Sequence, residues 1–299
     1  MSLQTTDLRY KLIKKIKDER FVEEQLDRYF LHVHFGNRDL QTCVIDPGEK
    51  RVLLVEDFIL PPANSSSEWL EVLSELFDDH SLLKANFWMS ITISIKNSKF
   101  ALVPEELFDE ASTADYLKFN ASVDPASENF LFTRSKSSQA VVAFAMDKKL
   151  NTWLDDVYPQ ARPRYVHQSG ALIEGMLQYD AFRKDMAPPL YIYIDRFKLH
   201  ILYAKGGKLI YYNQFTISQF ADYIKYIMLV MKFLRIDQRV SQLVLWGYIG
   251  RNSSHYHEFY RYINNVSFGG RPHGLQFGYI FDELQEHHFF DLYSINSLR

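Results

Sequence analysis

Three short turns in this sequence carry the residue types that could hold a charged ligand. The first follows an apolar strand and reads Gly36-Asn37-Arg38, and the second reads Asp195-Arg196-Phe197-Lys198. An aspartate at the end of a strand can help to hold Mg²⁺, and Arg or Lys can pair with phosphate. The third turn lies in the stretch LWGYIGRNSS and offers Gly247 and Gly250. Glycines let a ligand approach the backbone closely because they have no Cβ.

Each of these features also has a structural interpretation. Asp195 could cap its own turn, as aspartates at strand ends often do. The neighbouring Arg196 and Lys198 could be solvated surface charges of a hairpin. The turn with Gly247 and Gly250 could lead from a strand into a helix that Ser253 or Ser254 caps. The sequence leaves both interpretations open.

Histidines and the single cysteine offer little further chemistry. His255 and His257 are two residues apart, so on a helix they point in different directions, whereas helical metal ligands are four residues apart. The adjacent His287 and His288 are no better placed. Cys43 is the only cysteine, so no intrachain disulfide can form. We expect no metal site and no catalytic constellation.

Composition describes an ordinary globular chain. Of the 299 residues, 47% are hydrophobic and 24% charged, and the net charge of −3 gives no basic excess for nucleic-acid binding. The most apolar helical run, YIKYIMLVMKFL, is too short to span a bilayer, and the amino terminus lacks the apolar core of a signal peptide. We therefore expect a cytoplasmic protein without a transmembrane segment. The aromatic stretch HEFYRYINNVSF could form a partner surface or pack in the core.

A pattern of strand, turn, strand, turn and strand occurs twice. It runs from Tyr29 to Leu60 and from Leu190 to Phe215, about 160 residues later. Each copy is followed by an amphipathic helix and then by an apolar strand, Phe87 to Ile95 in the first copy and Ser241 to Gly247 in the second. The repeat predicts a duplicated domain core, whose two copies superpose and form separate sheets.

The rest of the chain is assigned around this repeat. The linker KDMAPP contains two prolines that prevent a helix from continuing, which predicts domains at 1–186 and 187–299. An extra α+β segment is inserted at about 104–160, and its stretch PEELFDEASTADYLKF reads as a helix. The basic stretch LRYKLIKKIKDER predicts a helix that packs on the body of the protein, or alternatively binds a membrane surface.

This order and repetition resemble the actin-like ATPase superfamily of sugar kinases, heat-shock chaperones and actin. The stretch SGALIEGMLQYDAF followed by PLYIYID resembles the superfamily's connecting helix and second phosphate hairpin. The resemblance implies an α/β fold of duplicated ribonuclease-H-like domains, each with a mixed five-stranded sheet flanked by helices. Within the superfamily, the chain is most similar to a bacterial family of unknown function related in fold to pilus-assembly proteins.

In the superfamily, glycine-rich turns cradle nucleotide phosphates, and aspartates help to hold Mg²⁺. Here the first turn has one glycine and no aspartate at the strand end, the second has no glycine, and the third keeps only part of its glycines. We therefore expect a non-catalytic interaction or scaffold module that needs no cofactor and contacts an unidentified protein partner. The alternative is a divergent ATP-binding phosphotransferase or ATPase that uses an interdomain cleft and Mg²⁺. Its candidate residues are Gly36, Asn37, Asp195, Arg196, Lys198, Gly247 and Gly250.

Overall fold

The computed structural model describes residues 9–183, 187–196 and 198–299. Contacts between Cα atoms divide the chain into two compact units. Unit 1 comprises Met1–Arg134, Ala140–Gly170 and Gly274–Phe281, and unit 2 comprises Ser135–Gln139, Ala171–His273 and Asp282–Arg299. The domain boundary predicted at residue 186 falls on residues 184–186, which lie outside the described residues.

The described secondary structure alternates between strands and helices. The strands are β1 (Lys11–Lys17), β2 (Phe30–Gly36), β3 (Asp39–Asp46), β4 (Arg51–Ile59), β5 (Ser90–Lys96), β6 (Phe100–Pro104), β7 (Glu128–Arg134), β8 (Ala140–Asp147), β9 (Arg164–His167), β10 (Leu190–Ile194), β11 (Lys198–Lys205), β12 (Lys208–Thr216), β13 (Gln242–Gly247), β14 (Asn265–Phe268) and β15 (Gln276–Phe277). The α-helices are α1 (Ser66–Asp79), α2 (Ser81–Lys84), α3 (Thr113–Lys118), α4 (Lys148–Val157), α5 (Gln168–Ala181), α6 (Phe220–Phe233), α7 (Ser254–Phe259) and α8 (Phe290–Ser294). Short 3₁₀ helices are Glu23–Arg28, Glu105–Leu107, Glu110–Ser112, Tyr279–Glu283 and Ile295–Leu298.

The main sheet of unit 1 has the order β1-β4-β3-β2-β5-β9, with β15 also pairing with β4. Strands β2, β3 and β4 form the antiparallel meander, and β5 and β9 follow in parallel. One face carries apolar side chains from alternate strand positions, because successive residues of a strand point to opposite faces. On that face Leu31, Val33 and Phe35 pack in one cluster with Leu73 and Leu76 of α1.

The sheet of unit 2 has the order β12-β11-β10-β13-β14. The meander β10, β11 and β12 is antiparallel, and β13 and β14 are parallel to β10. Its core contains Ile192 and Ile201 from the meander, Leu245 from β13 and Ile227 from α6. Strand for strand, this order repeats β4-β3-β2-β5-β9 of unit 1, in a separate sheet.

The pairing register makes the equivalence of the two copies specific. Phe35 pairs with Leu40 in unit 1, and Ile194 pairs with Leu199 in unit 2. Each first turn therefore contains four residues, and Gly36 takes the place that Asp195 takes in the other copy. The strand order matches the predicted duplication, and the predicted fold class is confirmed. The sheet of unit 1 differs from the five strands predicted, because β1 and β15 also pair with β4 and bring it to seven strands.

The inserted segment forms a small antiparallel sheet of its own, in the order β6-β8-β7. Ala101, Leu117, Ala143 and Ala145 form a small core between this sheet and α3. The helix predicted over PEELFDEASTADYLKF is present only as α3, preceded by two single 3₁₀ turns.

The helix predicted for the basic amino-terminal stretch is wrong, because that stretch forms β1. This strand pairs antiparallel with β4, and a bulge interrupts its register between Leu12 and Lys14. Ile16 is buried, while Lys15 reaches the buried carboxylate of Glu56 at 2.8 Å. Lysines are common on edge strands because they discourage pairing with other chains. Tertiary pairing, together with the bulge, overrides a spacing of apolar residues that also suits a helix.

None of the helices in the described part of the chain combines the length and the apolar character needed to cross a membrane.

Candidate functional site

The last residue of the first turn is Asp39, which packs against the glycine that begins the turn. Gly36 ends β2, and a Cβ at this position would overlap Oδ1 of Asp39. The glycine therefore leaves room for a carboxylate of the protein itself.

Asp39 in turn forms a buried ion pair. Its Oδ2 lies 2.6 Å from Nζ of Lys96, and both side chains are more than nine-tenths buried. Lys96 ends β5 and stands in register with Gly36 of β2. The sequence analysis did not predict this pair. The signal was present as a lysine at the end of the apolar strand FWMSITISIK and an aspartate at the start of the next strand of the hairpin.

Asn37 lines a shallow cavity of about 330 Å³ next to this turn. The cavity is also lined by Ser65, the N-cap of α1, and by Asp147, the N-cap of α4. Asp147 accepts the backbone N–H of Lys149 at 2.8 Å. The cavity thus contains an engaged carboxylate, which disfavours an anionic ligand.

In the second turn, Asp195 binds its own backbone. Its buried carboxylate accepts the N–H of Arg196 at 2.8 Å, and its N–H donates to the carbonyl of Lys198 at 2.9 Å. The Arg196 guanidinium lies 4.5 Å from the ring centroid of Tyr248, in a cation–π arrangement. This contact brings the second and third turns together within unit 2. Phe197 lies outside the described residues.

The third turn directs its first N–H groups to carbonyls of the protein. Gly247 donates to His287, Tyr248 donates to Ile194 and Ile249 donates to Gly247, at 2.8–2.9 Å. The φ of Gly247 is +92°, and a Cβ there would overlap the carbonyl oxygen of Ile194. A glycine is therefore required here by the close approach of β10.

Gly250 leads into α7. Its carbonyl accepts the N–H of Ser253 at 3.0 Å and the Ser253 hydroxyl at 2.7 Å. Ser253 Oγ also accepts the N–H of Tyr256 at 3.1 Å, which makes it the N-cap of α7. The local structure is a strand-to-helix turn with a serine cap.

His287 contacts the third turn through a hydrogen bond to its backbone. Its Nε2 donates to the carbonyl of Ile249 at 2.6 Å, and its ring stacks on Phe268 with centroids 4.1 Å apart. The pKa of His287 is lowered from 6.5 to about 4, mainly by burial; the hydrogen bond to Ile249 opposes this shift, and the neighbouring His288 and Arg251 add to it. The ring is therefore neutral at physiological pH. This role had no signal in the sequence, because it depends on a contact across 38 positions.

The described residues contain no group of three His, Cys, Asp or Glu side chains that could hold a metal ion. His257 is exposed on α7. The His255 side chain, half of the pair considered above, lies outside the described residues.

The five-strand order β4-β3-β2-β5-β9 recurs as β12-β11-β10-β13-β14, and a turn follows the first strand of each meander. This repeated sheet is the actin-like ATPase fold. Two solved structures of this class are similar. A protein with actin-like ATPase fold and unknown function from Bacteroides thetaiotaomicron gives a TM-score of 0.74 at 21% identity, covering 83% of this chain and 94% of that one. The PilM–PilN type IV pilus biogenesis complex gives a TM-score of 0.62 at 12% identity, covering 90% of this chain and 98% of that one.

The chain belongs to the DUF3822 family, whose members are described as proteins of unknown function and whose profile matches residues 18–266. None of the curated proteins matches this sequence. The expected family of unknown function is confirmed, and the two solved structures confirm the actin-like ATPase fold.

Proposed function

We propose that this protein is a non-catalytic interaction or scaffold module of the cytoplasm, with degenerate phosphate loops and without an ATP or Mg²⁺ cofactor. The observation that carries the proposal is the position of Asp39. Its carboxylate occupies the space beside Gly36, where the resemblance to the superfamily would place a phosphate, and it forms an ion pair with Lys96.

Electrostatics support this assignment for the first turn. A nucleotide phosphate brought to Gly36 would meet a carboxylate, and like charges at close range repel. The phosphate would have to displace Asp39 from its buried pair with Lys96, and breaking such a pair costs about 3–5 kcal/mol. A bound phosphate would have to supply this free energy.

The second and third turns support it through their hydrogen bonds. Phosphate cradles use backbone N–H groups that have no other acceptor. Here the N–H groups of Asp195, Arg196, Gly247, Tyr248 and Ile249 all have acceptors within the protein. A ligand would gain little by replacing bonds that are already made.

A similar fold is already known in an assembly of proteins, the PilM–PilN complex. This likeness supports a role through protein contacts. The net charge of −3 supports the same assignment, because it offers no general attraction for nucleic acid.

Thermal melting with and without millimolar ATP and Mg²⁺ tests the proposal. A ligand at a hundred times its Kd stabilises a protein by about 2.7 kcal/mol, which raises the melting temperature by about 2–4 °C per kcal/mol for domains of this size. We expect no rise. A rise that disappears in Asp195→Ala and on chelation of the metal would overturn the proposal and support the ATPase alternative.

Affinity capture from the native cells supplies the matching positive test. We expect the tagged protein to retain the same partner with ATP, without ATP and as the Asp195→Ala variant. A partner that is released by ATP from the wild type but not from the variant would indicate a nucleotide-dependent function.

A further inference from the structure

Strand β12 forms one edge of the sheet in unit 2. It is nine residues long, and in the described part of the chain it pairs only with β11. Lys208, Ile210, Asn213 and Thr216 are exposed along it. An open edge of this length is a template for a further strand.

The backbone of β12 shows which groups face outward. The N–H of Gln214 donates to Oδ1 of Asn213, a side chain of its own strand, at 2.8 Å. Because alternate residues of an antiparallel strand face the same side, the N–H of Thr216 has the same direction. The outer edge thus offers hydrogen-bonding groups to an extended backbone.

Helix α6 has an apolar flank beside this edge. Phe233 is 73% exposed, and its ring centroid lies 6.1 Å from that of Tyr211 on β12. Leu229 is 56% exposed and lies one helical turn earlier on the same flank. A strand added to β12 would direct every second side chain toward these two residues.

Basic side chains border the same region. Lys205 and Lys208 flank the hairpin turn before β12, and Lys225 and Lys232 are exposed on α6. Among the described residues, no carboxylate lies within ion-pair distance of these four lysines. Asp222 is the acidic residue at the start of α6, and its carboxylate caps the helix.

We propose that β12 is the docking edge for an extended acidic segment of a partner protein, which rests on the interaction function proposed above. The segment pairs with β12 as a further strand, places its alternate apolar side chains on Leu229 and Phe233, and carries carboxylates that the bordering lysines attract. A second copy of this chain is a poorer occupant, because its β12 edge is bordered by the same four lysines and does not complement their charge.

A synthetic peptide of about nine residues that alternates Glu with Val, matched to the length of β12, is a suitable probe. Its fluorescein-labelled form is titrated with the full chain by fluorescence anisotropy. We expect it to bind at least about ten-fold more tightly than the matched Lys–Val peptide and to weaken as salt increases.

Two variants place the binding on this edge. Phe233→Glu adds repulsion on the apolar flank, and Thr216→Pro removes an outward N–H without removing a bond to β11. Each is expected to weaken binding at least about ten-fold, as loss of a central contact does. Phe119→Glu is the matched control, because Phe119 is 87% exposed in unit 1.

Equal binding of the Lys–Val peptide, or unchanged binding by both variants, would overturn the inference. A dimer in analytical ultracentrifugation that dissociates on Phe233→Glu would assign the edge to a second copy instead. The ATP melting test distinguishes the two proposals: peptide failure without an ATP response refutes only this inference, whereas an ATP response refutes the proposed function whatever the peptide does.

Discussion

The pH dependence of stability should carry a component from His287. The folded state holds this ring neutral, with its pKa lowered from 6.5 to about 4, mainly by burial. Its exposed fraction is 4%, and its Nε2–H is used by the Ile249 carbonyl. Protonation in the folded state would place a charge against the ring of Phe268 and near Arg251.

The sign follows from the two pKa values. Above pH 6.5 the ring is neutral in both states, and its contribution to stability is fully present. As the pH falls from 6.5 toward 4, the unfolded chain binds a proton that the folded protein does not. The free energy of unfolding therefore decreases by at most about 1.4 kcal/mol per pH unit, and by at most about 3.4 kcal/mol in total.

The perturbation is His287→Gln, which cannot titrate but can still donate to the Ile249 carbonyl. We expect the variant to be less stable than the wild type at pH 7.5, since it loses the stacking on Phe268. The difference in unfolding free energy, measured with urea, should shrink by about 2–3 kcal/mol between pH 7.5 and 4.5. The matched exchange His257→Gln on exposed α7 should cost less than about 0.5 kcal/mol at pH 7.5.

An NMR titration of ¹³C-labelled histidine measures the folded-state pKa directly, and the variant identifies the His287 signal by its absence. A folded-state pKa of 6 or above would refute the reasoning. So would a stability difference between the wild type and His287→Gln that does not change with pH.

The remaining predictions concern the turns and the sheet beside them. Lys96→Met should destabilise the protein by about 3–5 kcal/mol in urea unfolding, because it breaks the buried ion pair with Asp39, and adding Asp39→Asn should recover part of this loss. Burial opposes ionisation of Glu56, but His80 and Lys15 together lower the pKa of this carboxyl group. The ionised Glu56 therefore stabilises the fold above the unfolded pKa of about 4.3, and this stabilisation is lost as the pH falls. Glu56→Gln should accordingly lose less stability than the wild type between about pH 6 and 3. Gly247→Ala should cost more than twice as much as Gly206→Ala in the same assay, because Gly206 has a left-handed φ but open space around it, and that conformation alone costs roughly 1 kcal/mol.

The fold was predictable because its information is local and repeated. Each strand of the meanders shows in its own run of apolar residues, and each turn shows in its Gly, Pro or Asp residues. The duplication then doubled the evidence for each element. The amino-terminal strand was not predictable in this way, since β1 owes its conformation to pairing with β4 and its apolar spacing also suits a helix.

The candidate site was predictable only as a set of positions. The turns at Gly36, Asp195 and Gly247 lie where the repeat places them, at the ends of β2, β10 and β13. What fills them depends on contacts between residues far apart in sequence, such as Asp39 with Lys96 across 57 positions. A single sequence gives no register between distant strands, so it cannot identify such a pair.

The register shows how the two copies have diverged at equivalent places. Ile95 of β5 corresponds to Gly247 of β13. The next residue is Lys96 in unit 1 and Tyr248 in unit 2. Lys96 holds a turn carboxylate by an ion pair, whereas Tyr248 holds the turn cation Arg196 through its ring.

The two contacts have opposite charge patterns but the same physical effect, which is to satisfy the polar side chains of each turn from the neighbouring strand of its own sheet. A nucleotide site requires the reverse, since its turns must keep donors free for a ligand. If only one copy had acquired such a contact, the other turn would still offer a cradle. Here the polar side chains of both turns are satisfied within their own unit, by an ion pair in one copy and by a cation–π contact in the other, which supports the proposed role through protein contacts.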